Sequence, residues 1–119
     1  MLSLDAVQRK IAGCLTDGLV RDVARIRALN FPVWGAGRSA VDIRGQLTAT
    51  DTPVQCGGVW VAPGDLVFAD VDGVIVVPPE AEVEVVHRAL EMATLERKFL
   101  RSLREGASMA ESHARYGIF

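Results

Sequence analysis

The stretch PVQCGGVWVAPGDLVFADVDGVIVVP, residues 53–78, decides how this chain folds. It contains four short runs rich in β-branched residues, separated by Gly57-Gly58, by Pro63-Gly64-Asp65 and by Asp72-Gly73. An Asp-Gly pair between alternating apolar residues is the strongest short-range hairpin signal that a sequence carries. The stretch therefore predicts antiparallel strands joined by tight turns.

Downstream of this stretch the pattern becomes helical. Pro78-Pro79 ends the last strand, and a helix of roughly 25 residues is predicted to begin near Glu80. A shorter helix follows Gly106 and runs to about Tyr116. The C-terminal part of the chain is thus predicted to be a long helix followed by a short one.

Upstream, helical and extended patterns alternate. The predicted elements are a helix over 3–10 with Ser3 as a candidate cap, a buried strand over 11–18, a helix over 22–30 and an edge-like strand over 31–37. Residues 38–52 are irregular and indicate a loop with one weak strand. Alternation of helix and strand favours parallel pairing. We therefore predict the α/β class, a compact layered sheet with parallel and antiparallel strands and flanking helices, as a single domain over residues 1–119.

Composition excludes several classes of protein. The chain has 119 residues, half of them apolar, and a net charge of −2, so nothing favours nucleic acid as a partner. No apolar run reaches the roughly 20 residues of a membrane helix, and no signal peptide is evident, so we expect a cytoplasmic protein. Cys14 and Cys56 are expected to be buried free thiols, and His87 and His113 are too isolated to indicate zinc.

Arg21 and Asp22 stand where a predicted strand gives way to a predicted helix. Asp22 fits a helix N-cap, in which one carboxylate oxygen accepts a backbone N–H. A helix start at the end of a strand is also where α/β proteins place ligands, and the planar guanidinium of Arg21 suits a small carboxylate. The residues alone leave the cap and an anion and metal site both open.

Glu96 interrupts an apolar stripe on the long predicted helix. It falls four residues after Met92 and three before Phe99, within the face that also carries Val85, Ala89 and Leu103. A carboxylate on that face meets either the core or another subunit, where an unpaired charge is costly. Its partner is either an arginine, in a salt bridge, or a cation held in a site.

Several motifs resemble one known family over residues 11–78. They are DG-x2-RD at residues 17–22, P-V-x3-G at 32–37, GG-V-x-V-x-PGD at 57–65 and AD-x-DG-V at 69–74. This order is similar to the C-terminal part of the family that includes 4-hydroxy-4-methyl-2-oxoglutarate aldolases and the regulator of ribonuclease E activity A. The resemblance implies a layered α/β fold assembled as a ring-like trimer, with sites between subunits.

The same resemblance implies roles for three residues. Arg21 would bind the carboxylate of a 2-keto acid, Asp22 would help to hold Mg²⁺ or Mn²⁺, and Glu96 of a neighbouring subunit would approach the metal's waters. A hard cation chelated by a 2-keto acid stabilises the enolate formed when the adjacent C–C bond breaks, which serves both aldol cleavage and oxaloacetate decarboxylation. The Schiff-base route needs a desolvated lysine, and Lys10 and Lys98 lie in charged helical surroundings.

The resemblance also implies departures from the family. The chain starts close to the middle of the usual family length, so we expect it to lack a glycine-rich loop and a further acid that contact substrate and metal. Asp17 is the nearest acid, and its expected role is that of a turn residue. The alternative to a lyase is therefore a non-catalytic binding or regulatory protein, like the ribonuclease regulator.

Overall fold

The computed structural model describes residues 1–118 and divides into two compact units, Met1–Pro63 and a second that begins at Gly64. The first unit contains α1 (Leu2–Gln8), β1 (Cys14–Leu15), β2 (Leu19–Val20), α2 (Val23–Ala28), β3 (Val33–Trp34), β4 (Gly37–Arg38), β5 (Val54–Cys56) and β6 (Val59–Val61). The second contains β7 (Leu66–Ala69), β8 (Val74–Val77), α3 (Pro79–Arg104) and α4 (Met109–Tyr116). Parallel and antiparallel pairs occur together with helices, which confirms the α/β class. That residues 1–119 form one domain stays a prediction.

The first unit is organised by two parallel strand pairs. β1 pairs with β3, with Cys14 opposite Val33, and β2 pairs with β4, with Val20 opposite Arg38. The hydrogen bond from Ala36 N–H to the Gly18 carbonyl, 3.1 Å long, continues the ladder between the two pairs. Helix α2 supplies the crossover that parallel strands require.

Gly35 allows the two parallel segments to approach closely. A Cβ atom at this position would lie 2.6 Å from Cγ2 of Val20, a separation that real Cβ atoms do not adopt. A side chain at residue 35 would therefore push Val20 away from the neighbouring segment. Glycine is required here by the space available.

Three local predictions for the first unit are wrong. The strand predicted over 11–18 is shorter and is not buried, since Cys14 is exposed and Leu15 only half-buried; Cys56 is half-buried as well, and both thiols are free. A two-stranded pair covers little of either face, which explains the exposure. Ser3 lies inside α1 and does not cap it. Residues 39–53 form the predicted loop without the weak strand.

Two of the three predicted turns, at Gly57-Gly58 and at Asp72-Gly73, join antiparallel strands as predicted. β5 and β6 pair antiparallel across Gly57 and Gly58, whose φ angles of 58° and 84° suit glycine. In the second unit β7 and β8 pair antiparallel across a turn organised by Asp70, whose carboxylate accepts the N–H of Asp72 at 2.8 Å and of Gly73 at 3.3 Å. The Asp-Gly signal thus gave the correct hairpin, but the upstream aspartate holds the turn.

The second unit has a small core at the junction of α3 and α4. Phe99 is 2% exposed, and the centroid of its ring lies 6.4 Å from the centroid of the Tyr116 ring. Beside it, the buried hydroxyl of Ser102 donates to the Phe99 carbonyl at 2.8 Å and lies 2.7 Å from the Ser112 hydroxyl. Because a hydroxyl has one hydrogen, Ser112 is the donor in this pair. The buried hydroxyls are therefore satisfied across the helix junction.

The apolar stripe of α3 is buried only at its C-terminal end. Phe99 is buried and Leu103 half-buried, whereas Val85, Met92 and Glu96 are exposed. Two surroundings were left open for Glu96, the core and another subunit, and the core is not the one observed, because α4 contacts α3 at Phe99 and Ser102. No helix within residues 1–118 is both long and apolar enough to span a membrane.

Helix α4 begins with a reciprocal capping box, which gives a pH-dependent prediction. The Ser108 N–H donates to the Glu111 carboxylate at 2.8 Å and the Ser108 hydroxyl donates at 2.7 Å, and these bonds hold the pKa of Glu111 below its ordinary value of 4.5. Because the folded pKa is the lower one, the stabilisation is present above the unfolded pKa and is lost as pH falls through the folded pKa.

We expect Glu111→Gln to lower the stability at neutral pH and to reduce the loss of stability on acidification. Urea denaturation at several pH values between about 6 and about 3 measures both effects. Ser108→Ala should reproduce much of the change, and the double variant should add little to either single one. An acid dependence that is unaltered in Glu111→Gln would contradict the assignment.

Candidate functional site

The site lies where two parallel strands end side by side. β2 ends at Val20 and β4 at Arg38, and the Ser39 N–H donates to the Val20 carbonyl at 3.1 Å. Parallel strands present their carboxyl ends at the same edge of the sheet. The residues that follow each strand therefore lie at one edge: Arg21 and Asp22 from β2, and Ser39 from β4.

Asp22 occupies the N-cap position of α2, but its carboxylate is not used as a cap. Its backbone is left-handed, with φ of 59° and ψ of 30°, and its side chain makes no capping hydrogen bond. Its carbonyl oxygen begins the helix instead, accepting the N–H of Arg25 at 2.9 Å and of Ile26 at 3.1 Å. The side-chain cap left open by the sequence is therefore not formed.

Arg21 is placed between two carboxylates. Its Nη1 lies 3.1 Å from Oδ1 of Asp42, and its Nε lies 3.6 Å from Oδ2 of Asp22. The three side chains are each a little under half exposed. Such ion pairs contribute little to stability in water, so they organise the charges more than they stabilise the fold.

Arg21 and Asp22 line a pocket of about 410 Å³ at this strand edge. The complete lining is Val20, Arg21, Asp22, Val23, Arg38, Ser39 and Ala40. The structure thus places both sequence-predicted residues in one pocket. Its second cation, Arg38, was not foreseen, because only the pairing of β2 with β4 brings it to this edge.

Glu96, the third predicted site residue, belongs to the second unit, on α3. It is exposed, and it forms no ion pair with the residues at positions 1–118. The salt bridge to an arginine considered for it is therefore not made within this part of the chain. Its approach to a metal stays a prediction. Asp17 lies in the bend between β1 and β2, as expected, but its carboxylate makes a non-local contact, accepting the Gly57 N–H at 3.2 Å.

The donor atoms around the pocket suit a hard cation. Its lining offers the carboxylate of Asp22 and the hydroxyl of Ser39, with neither histidine nor cysteine. Across residues 1–118, no three His, Cys, Asp or Glu side chains form a group able to hold a metal. Mg²⁺ usually keeps several waters and binds through one or two carboxylates together with its ligand. The lining therefore offers one carboxylate and one hydroxyl to a hydrated cation, beside the guanidinium groups of Arg21 and Arg38, and does not form a closed cage.

Comparison with known proteins supplies a family. A model described as RraA-like, Aldolase/RraA, matches residues 1–76. A protein of Halalkalibacterium halodurans named "Putative 4-hydroxy-4-methyl-2-oxoglutarate aldolase" is 40% identical over 80 residues, which cover 66% of this chain and 38% of that protein.

Two crystal structures are similar in fold. An uncharacterised protein of Pseudomonas syringae pv. tomato superimposes with a TM-score of 0.90 at 29% identity, over 94% of this chain and 57% of that one. Streptomyces coelicolor RraAS2, described as an unusual member of the RNase ES inhibitor RraA protein family, superimposes with a TM-score of 0.60 at 34% identity, over 72% of this chain and 54% of that one. The chain therefore spans less than two thirds of each of these three relatives.

The geometry of Asp22 predicts that its charge can be removed without harm to the fold. We expect Asp22→Asn to change the free energy of unfolding by less than about 0.5 kcal/mol, because asparagine tolerates the left-handed backbone and no cap is lost. Asp22→Val should cost more than about 1 kcal/mol, because a β-branched side chain resists this conformation.

Chemical denaturation measures both changes. Asn30→Val is the matched control, since Asn30 also has a left-handed backbone, with φ of 50°. A loss of about 1 kcal/mol or more in Asp22→Asn would contradict the prediction, because it would mean that the negative charge of Asp22 itself stabilises the fold.

Proposed function

This chain belongs to the RraA-like family, as its motifs predicted, and we propose that it is a divalent-metal-dependent aldolase or decarboxylase acting on pyruvate-derived 2-keto acids. The observation that carries the proposal is the pocket in which Arg21 lies beside Asp22, a carboxylate not used to cap its helix. The aldolase name of the Halalkalibacterium relative supports the lyase class.

Arg21 is proposed to hold the carboxylate of the 2-keto acid. A guanidinium presents planar donors that match the two oxygens of a carboxylate. Because its Nε is 3.6 Å from the Asp22 carboxylate, a ligand held by Arg21 would have its keto end close to Asp22. The arginine therefore orients the substrate as well as binding it.

Asp22 is proposed to hold the cation through its carboxylate, which makes no capping hydrogen bond, with Ser39 as a neighbouring oxygen donor in the same pocket. Bound there, Mg²⁺ or Mn²⁺ would supply Lewis-acid chemistry, drawing electron density from the keto group. Arg21 adds a fixed positive charge on the carboxylate side. Charge that develops on the substrate would thus be opposed by cations at both ends.

The proposed reaction breaks the bond between C3 and C4 of a 4-hydroxy-2-keto acid. The C4 hydroxyl loses its proton and becomes the keto group of one product, while the bonding electrons pass to C3 of the other, which then takes up a proton. With 4-hydroxy-4-methyl-2-oxoglutarate both products are pyruvate. Oxaloacetate would lose its C4 carboxylate as CO₂, and the electrons of the broken C3–C4 bond would remain on C3. One pocket could therefore serve both reactions.

The Arg21 role predicts a large and selective loss of activity. Arg21→Ala should lower kcat/KM for the 2-keto acid by about 100-fold or more, because a charged ligand group would lose its partner. Arg21→Lys should retain part of the activity, since it keeps the charge but not the planar fork.

Pyruvate release with added Mg²⁺, measured through a coupled dehydrogenase, tests this prediction. Arg9→Ala is the control, because Arg9 also forms an exposed ion pair, 2.9 Å from Asp5, outside the pocket. Asp22→Asn should raise the Mg²⁺ concentration needed for half-maximal rate. If the wild-type protein turns over no 2-keto acid at any Mg²⁺ concentration, the lyase proposal is wrong.

Glu96 is proposed to act on the pocket of a neighbouring copy in a homo-oligomer, such as a trimer. It is an exposed carboxylate that forms no ion pair with the described residues, so it remains available to accept the hydroxyl proton across a subunit boundary.

Mixing variants tests this sharing of a site between subunits. Arg21→Ala and Glu96→Gln should each be nearly inactive, whereas assemblies formed from both should recover at least about tenfold over either alone, because some sites then carry both residues. A mixture of Arg21→Ala with Glu82→Gln should show no recovery beyond the activity expected from its share of Glu82→Gln subunits, because each of those subunits already carries Arg21 and every neighbour carries Glu96. Full activity of Glu96→Gln by itself would remove the residue from the mechanism.

The second candidate is a binding or regulatory role, favoured by the similarity to a member of an RNase inhibitor family and by exposed apolar side chains such as Trp60, 68% exposed. Inhibition of RNA cleavage by an RNase E-type enzyme, measured with purified components, would support it. The Arg21→Ala variant should then inhibit as well as the wild type, because the pocket would not be involved.

A further inference from the structure

We propose that Asp42 is a positioning residue, which holds the guanidinium of Arg21 in place at the pocket; this inference rests on the proposed function of Arg21. Oδ1 of Asp42 lies 3.1 Å from Nη1 of Arg21. This is the closer of the two carboxylates, since Oδ2 of Asp22 is 3.6 Å from Nε, beyond ordinary hydrogen-bond length. Asp42 is therefore the main partner that fixes Arg21.

Arg21 needs such a partner because its side chain is long and 46% exposed. An untethered arginine would occupy many rotamers, and a ligand would have to order it on binding. An arginine already held in one position pays less of that entropy when the ligand arrives. Asp42 thus affects ligand affinity without touching the ligand.

Asp42 is itself held from its other side. Nε of Arg44 donates to Oδ2 of Asp42 at 2.8 Å, so each carboxylate oxygen has its own cation. The charges alternate along the series Arg44, Asp42, Arg21, Asp22, which avoids contact between like charges. Because both oxygens of the Asp42 carboxylate are paired, the carboxylate rotates less, and the position in which it holds the Arg21 guanidinium is fixed.

The position of Asp42 in the chain supports a positioning role. It lies in the irregular segment 39–53, whose first residues, Ser39 and Ala40, line the pocket while Asp42 lies outside the lining. For the described residues of that segment, the ion pairs are the two that Asp42 makes, with Arg21 and Arg44. The Arg21 pair therefore also ties the segment to the end of β2.

A direct test measures the mobility of Arg21 without reference to activity. In the wild-type protein, ¹⁵N relaxation of the Arg21 Nε–H group should indicate a restrained side chain, and Asp42→Asn should make it mobile. Asp5→Asn is the matched control, since it should mobilise Arg9 and leave Arg21 unchanged. Unchanged Arg21 relaxation in Asp42→Asn would overturn the proposal, whatever the protein catalyses.

Kinetics then separate positioning from competition for the arginine. Asp42→Asn should raise KM for the 2-keto acid roughly three- to tenfold, the size expected for ordering one long side chain, with a smaller change in kcat. Asp42→Glu should restore part of the affinity, and Asp51→Asn, in the same segment, should have no effect. A lower KM in Asp42→Asn would mean that Asp42 competes with the substrate for Arg21, and would overturn the positioning role.

The experiments distinguish failure of the lyase proposal from failure of the proposal for Asp42. A wild-type protein with no turnover and no calorimetric binding of pyruvate with Mg²⁺ would refute the lyase proposal while the relaxation result still reports on Asp42. Turnover by the wild type, together with KM values that are equal in the wild type and Asp42→Asn, would instead refute the positioning role alone.

Discussion

The pairing of β2 with β4 is the constraint on which the site depends. Each strand has only two residues in the ladder, yet the parallel register places Val20 opposite Arg38 and so brings the residues after both strands to one edge. Without that register, Arg38, Ser39 and Ala40 would not line a pocket together with Arg21 and Asp22. The pocket arises because two strand ends coincide, and the α2 crossover is what permits the parallel direction.

Local signals in the sequence predicted most of the elements. Asp72-Gly73 and Gly57-Gly58 predicted the hairpins, and Pro78-Pro79 predicted the start of the long helix, because turn and cap preferences act within a few residues. Burial was predicted less well: Cys14 is exposed, because an apolar pattern does not show how many strands will cover it. The pattern of the α3 stripe likewise did not show which part of it the chain's own core would bury, since it does not show where the partner helix ends.

The residues of the candidate site were also predicted only where the signal in the sequence is local. Arg21 and Asp22 were predicted because they are adjacent and belong to a motif. Arg38 was missed because only strand pairing brings it to the pocket, and Asp42 was missed because it reaches Arg21 from an irregular segment; both effects are non-local. Whether Asp22 caps α2 could not be predicted from its residue type. The structure shows that its backbone is left-handed and that its carboxylate makes no capping hydrogen bond. The family motif indicated the family, whereas periodicity could indicate only the positions of the helices and strands.

The close approach at Gly35 has a consequence for how related sequences can differ. With the Val20 methyl group 2.6 Å from where a Cβ would stand, residues 20 and 35 share one volume that holds a single side chain. Homologues that carry alanine or serine at residue 35 should then have a smaller residue at position 20, so the two positions should covary. The size of the residue at position 20, directly before Arg21, would thus be limited by the residue at position 35, which lies outside the pocket lining.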